Sequence, residues 1–158
     1  MSTQEATTAI SEAAPISFQL EPQLSPQEFV DLLQRSTLGE RRPIHDLKTM
    51  QGMIENASVL VTARHGTRLI GVARSISDFS FCTYLSDLAV DSAYQRRGIG
   101  KRLLQSSHQH AGLHTNLVLN AAPAAVEYYP KIGLEKHDSC WVINGVRDDE
   151  ATEEPQQK

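Results

Sequence analysis

The order of apolar and polar residues predicts one β-strand and two α-helices in the first part of the chain. Residues 16–20 alternate between apolar and polar side chains, which is typical of a half-buried strand. Residues 25–28 carry a capping box with proline at the first helical position, and residues 29–33 supply the apolar stripe of the helix that follows. Apolar residues at helical spacing predict a second helix over 43–56.

The middle of the chain changes to a strand pattern. Residues 59–63 and 68–75 are rich in β-branched and other apolar residues and flank a turn at His65 and Gly66, which predicts a hairpin. An extended run over 79–90 follows and ends in Leu-Ala-Val, which is apolar on both faces. We therefore expect this last strand to lie inside a sheet.

The remaining pattern predicts helices and strands in turn. A helix over 98–111 precedes a buried strand over 117–119, and a helix over 123–132 precedes a closing pair of strands over 134–143. Cys82 and Cys140, each on a predicted strand, are expected to be core thiols, and Trp141 is expected to pack on the closing strand. The fold class that this order indicates is α/β (α+β), with a central sheet flanked by helices.

Length and composition indicate one globular domain. The chain has 158 residues, 40% of them hydrophobic and 22% charged, which argues against wholesale disorder and against several domains. Residues 1–15 and the acidic residues 144–158 lack apolar periodicity and are predicted to be disordered tails around a domain over 16–143. No stretch is apolar enough for a membrane span, and two cysteines are too few for a secreted disulfide scaffold, so we expect a cytoplasmic protein.

Charge is distributed unevenly along the chain. The formal net charge is −4, but the two predicted tails contribute −2 and −3, so residues 16–143 carry about +1. This balance does not indicate a nucleic-acid-binding surface. One segment differs, because residues 91–105 carry four basic side chains against one aspartate around two glycines. An anion is expected to bind there.

That segment has the sequence of a strand, a turn and a helix start over 86–101. Gly98 and Gly100 allow a ligand to approach the backbone, and the first turn of a helix leaves its amide N–H groups without intrahelical partners. The helix dipole also favours an anion at this end. The segment lacks the Gly-Lys-Ser/Thr of a P-loop, and Leu103 stands where a dinucleotide fingerprint requires a third glycine. By itself the pattern is equally compatible with a glycine turn that starts a helix.

Two motifs resemble the signatures of a known family. Gln95-x-x-Gly98-x-Gly100 follows a strand that ends in Leu88-Ala89-Val90, and this resembles the acyl-CoA signature of the GNAT N-acetyltransferases. Downstream, the segment 125–134 resembles the second signature of that family, an alanine and an aromatic-tyrosine pair before Lys-x-Gly. The resemblance covers about residues 16–143.

The resemblance implies a fold and a cofactor site. The expected sheet is mixed and mostly antiparallel, with a splayed strand pair that holds acyl-CoA. The backbone of the loop binds the CoA pyrophosphate, the end of the preceding strand pairs with the pantetheine arm, and an asparagine contacts that arm, here Asn120 although many members carry it where Ala122 stands. Acetyl-CoA is the implied acyl donor, and no metal is expected. The implied cofactor-binding residues are Leu88, Ala89, Val90, Gln95, Arg96, Arg97, Gly98, Ile99, Gly100, Lys101 and Asn120.

The resemblance also implies catalytic roles. Tyr129 matches the general acid that protonates the departing CoA thiolate, although Pro130 follows it and is expected to bend or break the helix. The position of the catalytic glutamate of some members holds Tyr84 here, and Asp87 is the alternative base. On a regular strand these two side chains point to opposite faces, so at most one of them serves unless a bulge intervenes. A water relay and a purely structural Asp87 stay open.

The implied function is transfer of an acetyl group from acetyl-CoA to a primary amine of a small molecule or peptide. The alternative is a non-catalytic acyl-CoA-binding sensor or partner-binding module on the same fold. The acceptor is expected near residues 36–48, where Arg41, Arg42 and His45 favour an acidic acceptor; Phe79, Phe81 and Tyr84 favour an apolar one. No nucleic-acid or membrane partner is expected, and a homodimer is left open.

Overall fold

A computed structural model describes residues 14–145 of the chain. These residues form two compact units, divided between Asn120 and Ala121. The first unit contains the whole sheet and its flanking helices, and the second contains two short helical turns. The predicted tails, 1–15 and 144–158, lie outside the described residues except for residues 14, 15, 144 and 145.

The first unit is built on a five-stranded sheet with the strands in chain order. Neighbouring strands are antiparallel except for the last pair, which is parallel. This confirms the mixed, mostly antiparallel sheet. The strands are β1 (Ile16–Leu20), β2 (Val59–His65), β3 (Arg68–Ser77), β4 (Cys82–Val90) and β5 (Asn116–Val118).

Helices and helical turns connect the strands. The α-helices are α1 (Pro26–Arg35), α2 (Leu47–Glu55), α3 (Ile99–Ala111) and α4 (Tyr128–Lys131), and the 3₁₀ turns are Leu38–Arg41, Ser92–Tyr94 and Pro123–Ala125. The helix α1 begins where predicted, because the Ser25 hydroxyl accepts the Glu28 N–H at 3.4 Å. The helix α2 begins four residues later than predicted. Asp46 is the N-cap there and accepts the Thr49 N–H at 3.1 Å.

The two faces of the sheet are covered by different helices. On one face, α1 and α2 enclose the main apolar cluster, which includes Phe29, Leu32, Leu33, Met50, Ile54, Leu60, Leu69, Val72 and Ala89. On the other face α3 packs so closely that a Cβ on Gly71 would lie 2.8 Å from Leu103 Cδ1. Glycine at 71 therefore sets how near α3 approaches β3.

Two strands differ from their predictions: β4 in the residue at which it begins, and β5 in how deeply it is buried. The strand β4 begins at Cys82 and not at residue 79, because the Asp78 carboxylate accepts the backbone N–H groups of Ser80, Phe81 and Cys82 and holds them in a turn. Cys82 is consequently exposed, so its assignment to the core is wrong. The strand β5 is only partly buried, contrary to prediction.

The second unit departs most from the sequence pattern. The predicted helix over 123–132 is a 3₁₀ turn followed by the four-residue α4, and the predicted strand pair over 134–143 is absent from the described residues. Pro123 starts the turn, Pro130 lies within the first turn of α4, and Gly133 leaves the helix at φ +97°. Trp141 is 92% exposed and Cys140 is exposed, so the predictions that Trp141 packs on a closing strand and that Cys140 is a core thiol are wrong.

None of the helices within residues 14–145 combines the length and the apolar character that a membrane span requires.

Candidate active site

Within residues 14–145, the strand β4 has one unpaired edge along its second half. It pairs with β5 only from Cys82 to Tyr84, whereas its pairing with β3 continues to Val90. The Asp91 N–H donates to the Ile70 carbonyl at 2.9 Å. Because hydrogen-bonding direction alternates along a strand, the main-chain groups of Leu88 and Val90 point away from β3. This edge of β4 is therefore open to another extended group.

A β-bulge in β4 interrupts its pairing with β3 just after the residues that pair with β5. Arg74 pairs with Asp87 and the next residue, Ser75, pairs with Leu85, so Ser86 is an extra residue in β4. The partners of Tyr84 and Asp87 are Ile76 and Arg74, which share one face of β3. The two candidate bases therefore lie on the same face of the sheet. The sequence has no glycine or other residue at Ser86 that would predict the bulge.

Asp87 is enclosed by two arginines at this bulge. It is 1% exposed, its Oδ1 accepts Arg42 Nε at 2.5 Å, and its Oδ2 accepts Arg74 Nε. Both arginines also bind Ser86: Arg42 Nη2 donates to its carbonyl and Arg74 Nη2 to its hydroxyl, each at 2.8 Å. Tyr84, by contrast, is 38% exposed. The geometry favours a structural role for Asp87. Because Arg42 already binds Asp87 and Ser86, the geometry does not favour Arg42 as the residue that binds an acidic substrate.

The loop after β4 presents backbone N–H groups. The first helical bond of α3 runs from the Arg102 N–H to the Gly98 carbonyl at 3.1 Å. The backbone N–H groups of residues 99–101, in the first turn of α3, therefore have no partner within the helix. Arg96 and Gly98 adopt positive φ values of 63° and 76°, and a Cβ on Gly98 would meet no atom within 4 Å. The loop therefore offers open space at Gly98, beside the N–H groups of the first turn of α3.

The side chains of the loop add positive charge. Gln95, Arg96, Arg97 and Lys101 are exposed. Arg97 lies over the Tyr94 ring, with its guanidinium carbon 5.2 Å from the ring centroid, and donates to the Ala93 carbonyl at 3.3 Å. Gln95 Nε2 donates to the Val90 carbonyl at 3.2 Å, which ties the loop to the free edge of β4. An anionic group with an extended arm fits this combination of donors, charge and free strand edge.

A cleft lies at the connection between α1 and α2. Its volume is about 430 Å³, and it is lined by Gln34, Thr37, Gly39, Glu40, Arg42, Ile44 and His45. This is the region in which the sequence predicted the acceptor. On the same sheet face as Asp87, the half-exposed side chains of Ile76, Tyr84 and Val118 form a row across β3, β4 and β5. The region thus offers a polar cleft and an apolar row.

The remaining predicted residues lie at either side of the division between the two units. Asn120 is exposed and follows β5 by two residues. Tyr129 lies in the second unit, where its ring packs edge-on against Tyr128 with centroids 5.4 Å apart. Burial, followed by the neighbouring Tyr128, raises the pKa of Tyr129 above the ordinary phenol value. At neutral pH the hydroxyl therefore carries its proton.

Sequence reasoning missed the charged side chains that support these elements. Arg74 and Arg42 hold the bulge, and Arg35 and Arg68 pair with the buried Asp91 before the loop. Their partners lie 13 to 56 residues away in the chain, so no local spacing reveals them. No group of three or more His, Cys, Asp or Glu side chains within residues 14–145 is placed to hold a metal ion.

Comparison with known proteins identifies the family. A family model described as an acetyltransferase (GNAT) domain matches residues 22–148. The chain belongs to the GNAT acetyltransferase family. It is 37% identical over 73 residues to "Histone acetyltransferase TAP1" of Glycine max, a stretch that covers 43% of this chain and 30% of that protein. The matched stretch thus spans less than a third of the length of that relative.

Solved GNAT structures share the fold at low sequence identity. A protein of unknown function from meticillin-resistant Staphylococcus aureus, SA2161, described as a probable acetyltransferase, superimposes with a TM-score of 0.70 at 18% identity, covering 84% of this chain and 99% of that one. The aminoglycoside N-acetyltransferase AAC(6')-Iy in complex with CoA gives 0.64 at 12% identity, covering 84% and 95%. At these identities the likeness establishes the fold.

Proposed function

We propose that this GNAT protein transfers the acetyl group of acetyl-CoA to a primary amine of a small molecule or peptide. The observation that carries the proposal is one continuous surface, in which the unpaired edge of β4 leads into a basic loop at the start of α3, where the first-turn N–H groups have no partner within the helix. Acetyl-CoA combines an amide-containing arm with an anionic pyrophosphate. These are the two chemical groups that a free strand edge and a helix start bind.

Each part of the surface has a proposed role. The main-chain groups of Leu88 and Val90 hydrogen-bond the arm, which orients it as an additional strand, and Asn120 contacts it from the opposite side. The N–H groups of residues 95–101 bind the pyrophosphate, and the basic side chains of the loop add charge pairing. When bound, acetyl-CoA supplies an activated thioester carbonyl to an attacking amine.

Proton transfer completes the proposal. Tyr129 donates a proton to the departing sulfur, which requires a protonated phenol. The attacking amine must lose a proton, and we assign this step to the exposed Tyr84, directly or through water, because arginines already hold both oxygens of the other candidate, Asp87. We retain the cytoplasmic location as a proposal that rests on the sequence alone.

The second candidate function is a non-catalytic acyl-CoA sensor. One observation favours it: the only carboxylate among the candidate bases is committed to two guanidinium groups. Calorimetric titration with acetyl-CoA, followed by measurement of free thiol released in the presence of a panel of primary amines, separates the two. Binding with amine-dependent thiol release supports the enzyme. Binding without release from any amine supports the sensor, and the absence of binding contradicts both.

A further inference from the structure

The loop begins at a buried carboxylate, Asp91, which is not among the predicted cofactor-binding or catalytic residues. Asp91 follows β4 directly and is 3% exposed. Its N–H donates to the Ile70 carbonyl at 2.9 Å, and its carbonyl accepts the Tyr94 N–H at 2.8 Å. Its Oδ1 accepts the Ala93 N–H at 3.0 Å. Asp91 therefore ends the strand and caps the turn that opens the loop.

Two arginines from other elements hold the second carboxylate oxygen. Arg35, the last residue of α1, and Arg68, the first residue of β3, both donate to Asp91 Oδ2, Arg68 at 3.0 Å. Arg35 also donates to the Leu69 carbonyl at 2.9 Å, and its own carbonyl accepts the Ser92 hydroxyl at 2.7 Å. The end of α1, the start of β3 and the beginning of the loop are thus tied together at one carboxylate.

Beyond Asp91 the loop has few contacts that could set its direction. The side-chain bonds of Gln95 and Arg97 end on Val90 and Ala93, a few residues earlier in the chain, and the Gly98 carbonyl accepts the Arg102 N–H of α3. Tyr94 adds one contact, with its hydroxyl 2.9 Å from His65 Nδ1. The direction of the loop N–H groups is therefore set mainly by its two ends, the packed helix α3 and Asp91.

We propose that Asp91 is a positioning residue for acetyl-CoA binding. Its charge pairing with Arg35 and Arg68 holds the start of the loop so that the N–H groups of residues 95–101 converge on the pyrophosphate. The carboxylate itself does not touch the ligand, because its oxygens are already bound and a carboxylate repels phosphate. This inference rests on the proposed acetyl-CoA site.

The test compares two variants that each remove the charge of a carboxylate paired with arginine. Asp91→Asn keeps a side-chain oxygen for the Ala93 N–H but removes the charge that pairs with the arginines. The matched control is Glu21→Gln in a second ion cluster, where Arg64 Nη2 lies 2.6 Å from Glu21 Oε1 and where the loop takes no part. Acetyl-CoA affinity is measured by calorimetry well below each melting temperature, which is recorded in parallel.

Both variants are expected to melt at lower temperature than the wild type. The dissociation constant of acetyl-CoA rises about tenfold or more in Asp91→Asn and stays within about twofold in Glu21→Gln. Arg68→Gln, which removes a half-exposed partner and so preserves the fold more readily, gives an intermediate rise.

Three results would overturn the inference. The first is unchanged acetyl-CoA affinity in a folded Asp91→Asn variant. The second, if Asp91→Asn does not fold, is unchanged acetyl-CoA affinity in Arg68→Gln. The third is a loss of acetyl-CoA affinity in Glu21→Gln equal to that in Asp91→Asn. If the wild type does not bind acetyl-CoA, the proposed function fails, and this inference fails with it.

Discussion

Tyr129 carries the most specific chemical expectation of any single residue. Its pKa is raised by burial and by Tyr128, so its hydroxyl keeps the proton that a general acid must donate. Tyr129→Phe removes that proton and keeps the ring. We expect kcat to fall by about 10²–10⁴-fold while the acetyl-CoA dissociation constant changes by no more than a few fold.

Tyr128→Phe is the matched control, since it removes a hydroxyl from the adjacent ring, and its kcat should stay within a few fold of the wild type. Because the pKa of Tyr129 is raised, any rate loss that reports its deprotonation appears above about pH 10 in the wild type and is absent from Tyr129→Phe. A Tyr129→Phe enzyme with wild-type kcat in a chemistry-limited assay contradicts the acid role.

Gly100 tests the anion site at the start of α3. Gly100→Glu introduces a carboxylate among the loop N–H groups, where it competes with and repels the pyrophosphate, while an acidic residue in the first helical turn is compatible with the fold. Acetyl-CoA binding should be lost in calorimetry, with the melting temperature near that of the wild type.

The control for Gly100→Glu is Gly52→Glu in α2, where a Cβ meets nothing within 4 Å. Its acetyl-CoA affinity should stay within about twofold of the wild type. Unchanged affinity in a folded Gly100→Glu variant would remove the loop from the cofactor site.

At the scale of the secondary-structure elements, the bulge in β4 depends on a buried ion cluster. Asp87 joins Arg74 of β3 to Arg42 of the α1–α2 connection, and both arginines bind the bulged Ser86. Asp87→Asn leaves two guanidinium groups without their counter-charge, which should lower the free energy of unfolding by about 3–5 kcal/mol in urea titrations.

The surface pair of Lys136 and Asp138 provides the comparison for Asp87. These side chains are 80% and 86% exposed, so Asp138→Asn should leave the unfolding midpoint unchanged. If Asp87→Asn abolished turnover with no loss of stability, Asp87 would act as the base and not as a structural anchor of the bulge.

For the whole molecule, the buried carboxylates predict loss of stability in acid. Burial alone would raise the pKa of Asp91 and of Glu21, but hydrogen bonds from Ala93 to Asp91 and from Arg64 to Glu21, with the other polar contacts of each, outweigh it and place both pKa values below the ordinary range. A carboxyl group with a lowered pKa in the folded state stabilises the protein above its unfolded pKa and loses that contribution as the pH falls through its folded pKa.

The melting temperature should therefore be nearly constant from pH 7 to about 5 and fall below about pH 4, as measured by calorimetry. Asp91→Asn and Glu21→Gln should each show a shallower acid fall than the wild type. A melting temperature that rose below pH 4 would contradict the direction of these pKa shifts.

Most of the sheet and part of the site could be predicted from the sequence because they depend on neighbours in the chain. The start of α1 is a local hydrogen bond at Ser25, and the hairpin of β2 and β3 follows from apolar runs on either side of Gly66. The loop over 95–101 is similarly a local strand-turn-helix pattern. The predicted helix over 123–132 failed because Pro123, Pro130 and Gly133 favour short turns more strongly than the apolar spacing favours a helix.

The sequence by itself determined the family signatures, the order of the strands and the place of the basic loop, since each is written in residues close together in the chain. Only the tertiary structure decided that β4 bulges at Ser86, that Tyr84 and Asp87 share a face, and that Asp91 is bound by arginines from α1 and β3. These features depend on contacts between residues 13 to 56 positions apart, and only packing decides which carboxylate is buried beside a guanidinium partner.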